Sequence, residues 1–289
     1  MDPDEEPAAA VDADALKAAV RDGWQNKSGA WNRWADHIAE LAERLNAPLL
    51  DAADLAPGQA VLDLASGAGE PALSIARRIA AGGTVTATDL VPDMLADAKR
   101  RASAAGLGNL RFQFADMEAL PFADAAYDRV VCRFGIMFCP QAHAALAEAR
   151  RVLKAGGRAA FMVWGPRADN SMFEVVQAIA PEFIDAPPFV ADLDPFRFGD
   201  EGALAAALGD AGFASVEEHA LRFTPAPPAG SRFWQHNLEM SFGAALEALA
   251  PERRAALDAA LDEGFLRYLD GDVYRIAAHA RIGTGIAGG

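Results

Sequence analysis

The chain of 289 residues carries 26 Lys and Arg against 41 Asp and Glu, which gives a formal net charge of -15. This balance argues against nucleic acid as a partner and against docking on an anionic membrane, because both need clustered basic side chains. Its 2 cysteines are too few for a disulfide framework. No apolar run reaches the roughly 18 residues of a membrane span, and the acidic N-terminus is unlike a signal peptide. We therefore expect a cytoplasmic protein of one or two domains.

The first 56 residues divide into two parts. Residues 1–11 hold acidic residues and prolines without a basic residue, which predicts a disordered acidic tail. In residues 12–56, apolar side chains recur at three- and four-residue steps, and the pattern predicts a helical segment that Pro48 ends. This segment is placed to fold over a neighbouring site as a lid.

Short β-type runs and Ala-rich helical stretches alternate after residue 57. Strands are predicted at 60–65, 83–88, 110–115, 127–133, 158–164, 214–223 and 273–282, and helices at 70–80, 92–104, 141–153 and 201–210. Strands that alternate with helices imply parallel βαβ units in a doubly wound sheet. Residues 57–289 are therefore expected to form one α/β domain.

Two proline-rich insertions interrupt this domain at about residues 166–200 and 225–270. Both follow strands at the carboxyl edge of the sheet, where open α/β sheets bind ligands. Their aromatic rings, with the tryptophans of the N-terminal segment, indicate an enclosed apolar pocket, although packing within the lid explains any single ring better. The rings are Trp24, Trp31, Trp34, Phe173, Phe183, Phe189, Phe196, Phe198, Phe233, Trp234 and Phe242.

The most informative stretch is VLDLASGAGEPAL at residues 61–73, a buried strand followed by a Gly-x-Gly turn and a helix. Gly67 and Gly69 allow tight backbone geometry and let a ligand lie against bare main chain. With Asp89 in its expected place beyond the loop, the stretch also satisfies the dinucleotide-binding fingerprint. A purely structural turn is a further reading, so the loop alone leaves these alternatives open.

Three other features favour a cationic nucleoside as the ligand. Asp63 precedes the glycines at the end of the strand, where a carboxylate attracts a cation and repels a pyrophosphate. Asp116 and Met117 follow the third strand, and a carboxylate there can accept a hydrogen bond from an adenine amino group. The segment RVLKAGGRAAFMVW then adds a helix, a Gly-Gly turn and another strand.

Together with TATDLVPDML, FADMEALPF and YDRVVCRFGIMF, these segments resemble the ordered motifs of class I S-adenosylmethionine-dependent methyltransferases. They are most similar to the ubiquinone- and menaquinone-biosynthesis type, which acts on small molecules. The resemblance covers residues 58–165 and, less closely, residues 195–223. It implies a Rossmann-like sheet of seven mostly parallel strands with the last strand antiparallel. It also implies S-adenosylmethionine as the cofactor and methyl transfer by in-line displacement to a small, hydrophobic or aromatic acceptor.

The resemblance assigns the methionyl part of the cofactor to the first strand and its loop. Ala65, Gly67 and Gly69 would lie with their backbone against it, and Asp63 would sit near its ammonium group, directly or through water. Arg133, at the end of the fourth strand, would meet either the cofactor's carboxylate or the acceptor. Ala65 stands where the family often has the first of three glycines.

The same resemblance assigns the nucleoside to the second and third strands. Asp89 would accept hydrogen bonds from both ribose hydroxyls, since a carboxylate offers two oxygens. Leu90 and Met94 would pack on the faces of the adenine, while Asp116 and Met117 would contact its edge.

No catalytic residue follows from these motifs. His143 and His236 are the candidate general bases, because His is the usual base near neutral pH, although each is more simply a structural or surface residue. Cys132 and Cys139 lack the spacing of a metal site, so no metal is expected. An NAD(P)-dependent oxidoreductase and a non-catalytic cofactor-binding relative are the alternative functions, and the sequence does not indicate an oligomeric state.

Overall fold

The computed structural model describes residues 13–187 and 193–288, so the tail predicted for residues 1–11 lies outside the described residues. The described strands are β1 (Ala60–Leu64), β2 (Thr84–Asp89), β3 (Leu110–Phe114), β4 (Tyr127–Arg133), β5 (Leu153–Trp164), β6 (Phe213–Phe223), β7 (Leu269–Asp270), β8 (Val273–Tyr274) and β9 (Ala278–Ala287). The described α-helices are α1 (Ala13–Ala52), α2 (Ala72–Arg78), α3 (Pro92–Ala104), α4 (Ala142–Val152), α5 (Ser171–Ile179), α6 (Ala203–Asp210), α7 (Gln235–Glu247) and α8 (Pro251–Phe265).

Seven strands form one twisted sheet in the order β3-β2-β1-β4-β5-β9-β6. The pairs from β3 to β5 are parallel, whereas β9 runs antiparallel to both β5 and β6. The predicted doubly wound sheet with an antiparallel last strand is therefore confirmed. Because the order reverses between β1 and β4, the carboxyl ends of these strands border the crevice in which such sheets bind ligands.

The two faces of the sheet are covered by different helices. Successive side chains of a strand point to opposite faces, so Leu62 packs with residues of α4 and α6, while Val61 packs with α2 and the end of α1. Both side chains are fully buried, and burial of one such side chain contributes about 1.5–3 kcal/mol. A third cluster, formed mainly by α5, α7 and α8 around Trp234 and Phe265, packs the two insertions against each other.

The prediction that Pro48 ends the N-terminal helix is wrong, because α1 continues through it to Ala52. A proline inside a helix removes one backbone hydrogen bond. The next two residues, Leu49 and Leu50, are buried against the sheet and its α2 side, and this apolar burial offsets the lost bond. None of the described helices, α1 included, is long and apolar enough to cross a bilayer.

The last predicted strand, at 273–282, is two strands in the structure. Val273–Tyr274 pairs with Leu269–Asp270 in a small separate hairpin, and only Ala278–Ala287 joins the main sheet. The hairpin turns at Gly271, where φ is 64°. The local sequence does not distinguish one strand from two here, because nothing in it shows that its two halves pair with different partners.

Helix α1 is held over the sheet by α7 of the second insertion. Trp34 Nε1 donates to Glu239 Oε2 at 2.8 Å, and Arg33 Nη2 donates to Glu247 Oε1 at 3.1 Å. The helical conformation of α7 breaks at Gly243 (φ 46°, ψ -122°), where a Cβ would lie 3.4 Å from the Asn26 carbonyl oxygen of α1. This break lets the two helices approach closely.

Replacing Gly243 with alanine is therefore expected to lower the melting temperature by a few degrees, because an L-residue in this conformation is strained by about 1–3 kcal/mol. The matched control is Gly29→Ala, at an exposed position of α1 where a Cβ would meet no atom within 4 Å. That change should raise helix stability by up to about 1 kcal/mol. Thermal unfolding followed by circular dichroism measures both, and an unchanged melting temperature for Gly243→Ala would contradict the assignment.

Candidate functional site

The carboxyl ends of β1, β2 and β4 open into a cleft that encloses about 1180 Å³ of space, part of it open to solvent. Helix α1 forms its roof. The roof residues recur at helical steps and so share one face of α1; they are Lys17, Val20, Arg21, Trp24, Trp31, Ala35 and Ile38. No described residue of the two insertions lines the cleft. Of their predicted rings, Phe189 lies outside the described residues. The other rings pack in the cluster of α5, α7 and α8, or beside β5 and the main core.

The two glycines of the loop after β1 serve different purposes. Both have positive φ, 51° at Gly67 and 115° at Gly69. A Cβ on Gly67 would meet no atom within 4 Å, and this residue lines the cleft. A Cβ on Gly69 would collide with Leu73 and crowd Ala98 of α3, and Gly69 does not line the cleft. Gly67 therefore exposes backbone to a ligand, whereas Gly69 lets the loop pack on α3.

Ala65 occupies the place of the missing first glycine and takes the left-handed conformation itself, with φ at 54°. Its methyl group is accommodated by Gly135, just after β4, because a Cβ there would lie only 2.5 Å from the Ala65 Cβ. Sequence reasoning missed Gly135. The pairing of these two residues explains how the loop keeps its shape without the usual glycine.

Asp89, at the end of β2, ties the glycine loop to the second strand. Its Oδ2 accepts from the Gly67 N–H and its Oδ1 accepts from the Val91 N–H, both at 2.9 Å. Burial raises the pKa of Asp89, and these backbone bonds oppose the rise. Each oxygen keeps a further lone pair, so the carboxylate can still accept two hydroxyl donors from the cleft.

Asp63 and Arg133, two side chains of opposite charge with unsatisfied hydrogen-bonding atoms, lie at the other end of the loop. Neither carboxylate oxygen of Asp63 has a hydrogen-bond partner among the described residues, and the side chain is fully buried. Burial raises its pKa to about 7, a rise that the neighbouring Ser66 and, less strongly, Arg133 oppose. Arg133 Nη2 donates to the Glu70 carbonyl at 3.1 Å, while its buried Nε has no partner in the described chain.

Leu90, Met94 and Met117 line the cleft, as predicted for residues around an adenine. Asp116 lines it too, with Oδ1 accepting from the Glu118 N–H at 2.9 Å. Its Oδ2 lies 2.7 Å from the ammonium of Lys17, a roof residue that sequence reasoning also missed. The helical stripe that contains Lys17 was a visible signal, but it did not reveal which carboxylate the lysine meets.

The structure brings neither candidate base to the cleft. His143 is exposed, and its Nε2 lies 3.3 Å from the Asp210 carbonyl oxygen on α6. His236 lies between α7 and α1, with its ring 5.1 Å from that of His37. Burial lowers the pKa of His236 to about 4, and His37 adds to the effect. Both histidines are thus accounted for by packing between helices.

Comparison of the chain with known proteins identifies its family. A family model for a methyltransferase domain matches residues 61–157. Nocamycin O-methyltransferase of Saccharothrix syringae is 32% identical over 229 residues, covering 74% of this chain and 80% of the relative. Demethylmenaquinone methyltransferase of Thermus thermophilus is 44% identical over 171 residues, covering 59% of this chain and 70% of the relative.

The chain belongs to the class I S-adenosylmethionine-dependent methyltransferase family. A solved structure of a Haemonchus contortus phosphoethanolamine N-methyltransferase in complex with S-adenosylhomocysteine shares the fold. Its TM-score is 0.54 at 17% identity, over 85% of this chain and 52% of that one. The chain spans 64% of the length of uncharacterized mycobacterial relatives to which it is 37% identical over 183 residues.

The residues of the cleft fit S-adenosylmethionine, the cofactor of this family. A buried carboxylate without a donor and a buried guanidinium nitrogen without an acceptor are costly when left unpaired. Arg133 lines the cleft, whereas Asp63 is buried behind the glycine loop and does not line it. A ligand with both a carboxylate and an ammonium, as the methionyl part has, would satisfy this pair, and Gly67, Asp89 and Asp116 along the loop and the strand ends would face the nucleoside.

Replacing Gly135 with alanine is expected to weaken binding of S-adenosylhomocysteine at least tenfold, because the new methyl group displaces Ala65 and with it the loop. The double variant Gly135→Ala with Ala65→Gly should recover part of the loss. Recovery is only partial, since Cys132 Sγ would still lie 2.9 Å from the new Cβ. Calorimetric titration of the wild type, of Gly135→Ala, of Ala65→Gly and of the double variant forms a double-mutant cycle, and additive effects would show that the two positions are independent.

Proposed function

We propose that the protein transfers the methyl group of S-adenosylmethionine to a small hydrophobic or aromatic acceptor. One observation supports this most directly. The cleft combines Arg133 at one end, with Asp63 buried behind the glycine loop beside it, a ribose-compatible carboxylate at Asp89, and an aromatic wall under α1. Its acidic side chains are spaced along the strand ends for a cationic nucleoside ligand.

The aromatic wall supports the class of acceptor. The ring of Trp24 meets Phe138 edge-on at 4.9 Å and Trp31 at 5.7 Å, and all three residues line the cleft. Phe134 lines it as well, and its ring stacks on Trp164 at 4.0 Å. A flat apolar molecule packs well against such rings. The two named relatives, a nocamycin O-methyltransferase and a demethylmenaquinone methyltransferase, also act on small organic molecules.

The contribution of the chain to the reaction is orientation and exclusion of water. The cofactor supplies a methyl group on a sulfonium, which is open to in-line attack. Gly67, Asp89 and Arg133 hold the cofactor in a fixed pose, and the α1 wall holds the acceptor beside it. Fixed orientation can account for roughly 7–11 kcal/mol of a barrier, and an enclosed apolar site keeps water from competing.

The oxidoreductase alternative fits the cleft less well. A dinucleotide would bring its pyrophosphate to the glycine loop, where Asp63 is buried behind the turn. An ionised carboxylate at this place repels a diphosphate, and the energy of that repulsion is large in a shielded site. Asp89 does not discriminate, because a carboxylate at that position also fits the ribose of a dinucleotide. A non-catalytic relative would bind the cofactor equally well, so a turnover assay against a panel of aromatic acceptors separates that alternative from the proposal.

Asp89→Ala is expected to abolish measurable binding of S-adenosylhomocysteine, because it removes both the ribose acceptor and the bond that fixes Gly67. In the wild-type protein, S-adenosylhomocysteine but not NADH should raise the melting temperature. The control is Asp272→Ala, at an exposed carboxylate of the small hairpin. Stabilisation of the wild type by NADH alone would overturn the proposed function.

Affinity for S-adenosylhomocysteine is expected to rise about tenfold from about pH 6 to about pH 8. Burial raises the pKa of Asp63 to about 7, and only the ionised carboxylate attracts the ligand's ammonium. The affinity is thus present above this pKa and is lost as the pH falls through it. Calorimetric titration of the wild type and of Asp63→Asn tests this, and an equal pH dependence in both proteins would exclude Asp63 as its source.

A further inference from the structure

Lys17, on the roof of the cleft, forms ion pairs with two carboxylates of the segment after β3 beneath it. Its ammonium lies 2.7 Å from Asp116 Oδ2 and 2.8 Å from Glu118 Oε2. Burial opposes the charge on Lys17, but the bonds and attraction from these two carboxylates prevail and hold its pKa above the ordinary value. The contact joins α1 to the loop between β3 and β4.

The two carboxylates that Lys17 bridges have different surroundings. Asp116 lines the cleft where the adenine is expected, and the Glu118 N–H holds its Oδ1. Glu118 is nearly buried, and its Oε1 accepts from the Gln141 N–H at the start of α4. Lys17 therefore fixes the second oxygen of Asp116 from above while Glu118 anchors the lysine to the body of the fold.

The same face of α1 carries the wall of the acceptor region. Lys17 and Trp24 are two helical turns apart, about 10 Å along the axis, and Trp24 contacts Phe138 in the segment after β4. Gln25 Nε2 also donates to Asp93 Oδ2 at 2.5 Å, next to the start of α3. Because a rigid helix moves as one body, the contact of Lys17 with Asp116 and the contact of Trp24 with Phe138 are expected to form together.

We propose that Lys17 is a positioning residue of the cofactor site: it orients Asp116 toward the adenine amino group and thereby couples cofactor binding to the seating of α1 and of its Trp24 wall. The inference rests on the proposed function. The contact between Lys17 and Asp116 is already made at 2.7 Å, so a bound adenine would strengthen the docking of α1 and, with it, of the aromatic wall around Trp24.

The test compares Lys17→Met with Lys17→Arg and with Lys99→Met, a control at an exposed lysine of α3. Binding of S-adenosylhomocysteine and of S-inosylhomocysteine, in which an oxygen replaces the adenine amino group, is measured by calorimetry. Lys17→Met should lose about tenfold in affinity for S-adenosylhomocysteine and most of the preference over the inosine analogue. Lys17→Arg should restore much of both, and Lys99→Met should match the wild type.

Hydrogen exchange measured peptide by peptide gives the second readout. In the wild type, S-adenosylhomocysteine should protect residues 13–31 of α1, including the segment of Trp24. In Lys17→Met, this ligand-dependent protection should disappear at saturating ligand while the unliganded exchange of the sheet stays unchanged. A merely structural lysine would alter exchange without ligand and leave the preference between the two nucleosides intact.

The outcomes separate the inference from the function on which it rests. If the wild type fails to bind S-adenosylhomocysteine, the proposed function is wrong. If the wild type binds it, and Lys17→Met keeps the same affinity, nucleoside preference and α1 protection, the role of Lys17 is wrong and the proposed function stands.

Discussion

The hydrogen bond from the Gly67 N–H to the Asp89 carboxylate is the contact on which the rest of the site depends. It joins the turn after β1 to the end of β2 at 2.9 Å. A second bond of 2.8 Å, from the Ser66 N–H to the Thr88 carbonyl, runs beside it. Hydrogen bonds to charged groups are stronger than neutral ones, above all where water is excluded. One carboxylate thus shapes the loop and remains able to accept a ligand.

This dependence explains why the loop tolerates Ala65. A residue with a side chain in the left-handed region is strained, but the strain is small for alanine beside the bonds that define the turn. What the methyl group needs is space, and Gly135 supplies it from the neighbouring strand end. The space that a glycine at position 65 would leave is therefore provided by Gly135, just after β4.

Much of the fold could be predicted from the sequence because its signals are local. Hydrophobic periodicity and turn residues placed β1 to β5 and the helices between them to within a few residues, except that β5 begins at Leu153. The glycine loop and the acidic strand ends could be found for the same reason. Asp89 and Asp116 each follow a strand, and in a parallel sheet all such positions meet at one edge.

The rest of the site could not be predicted, because it depends on pairs of residues that are distant in the chain. Nothing near Lys17 indicates that its ammonium reaches Asp116, and nothing near Ala65 points to Gly135. The position of His236 beside His37 has the same origin, since it follows from the docking of α7 on α1. Local pattern shows which residues can do chemistry, whereas tertiary packing decides which of them meet.

The insertions act on the cleft through α1. Their described residues do not line it, yet Glu239 and Glu247 of α7 hold Trp34 and Arg33 on the outer side of that helix. A change in the insertions would therefore reach the aromatic wall around Trp24 by shifting α1, without altering any residue that lines the cleft. The cofactor end is less exposed to such changes, because β1, β2 and β4 build it from the centre of the sheet.

The charged groups of the cleft also differ between the end built by the sheet and the roof built by α1. Asp63 and Arg133 lie at the sheet end with unmet hydrogen-bonding capacity, whereas Asp116 is already matched by Lys17 of the roof. A ligand that is zwitterionic at one end would satisfy Asp63 and Arg133. Its other end, if it is a nucleoside, needs only a neutral contact with Asp116, whose charge Lys17 already balances. The net charge of -15 therefore says little by itself about the ligand. Among the acidic groups in and around the cleft, Asp63 behind the glycine loop is the one whose carboxylate is buried without a partner among the described residues. A positive charge would be bound most strongly beside it.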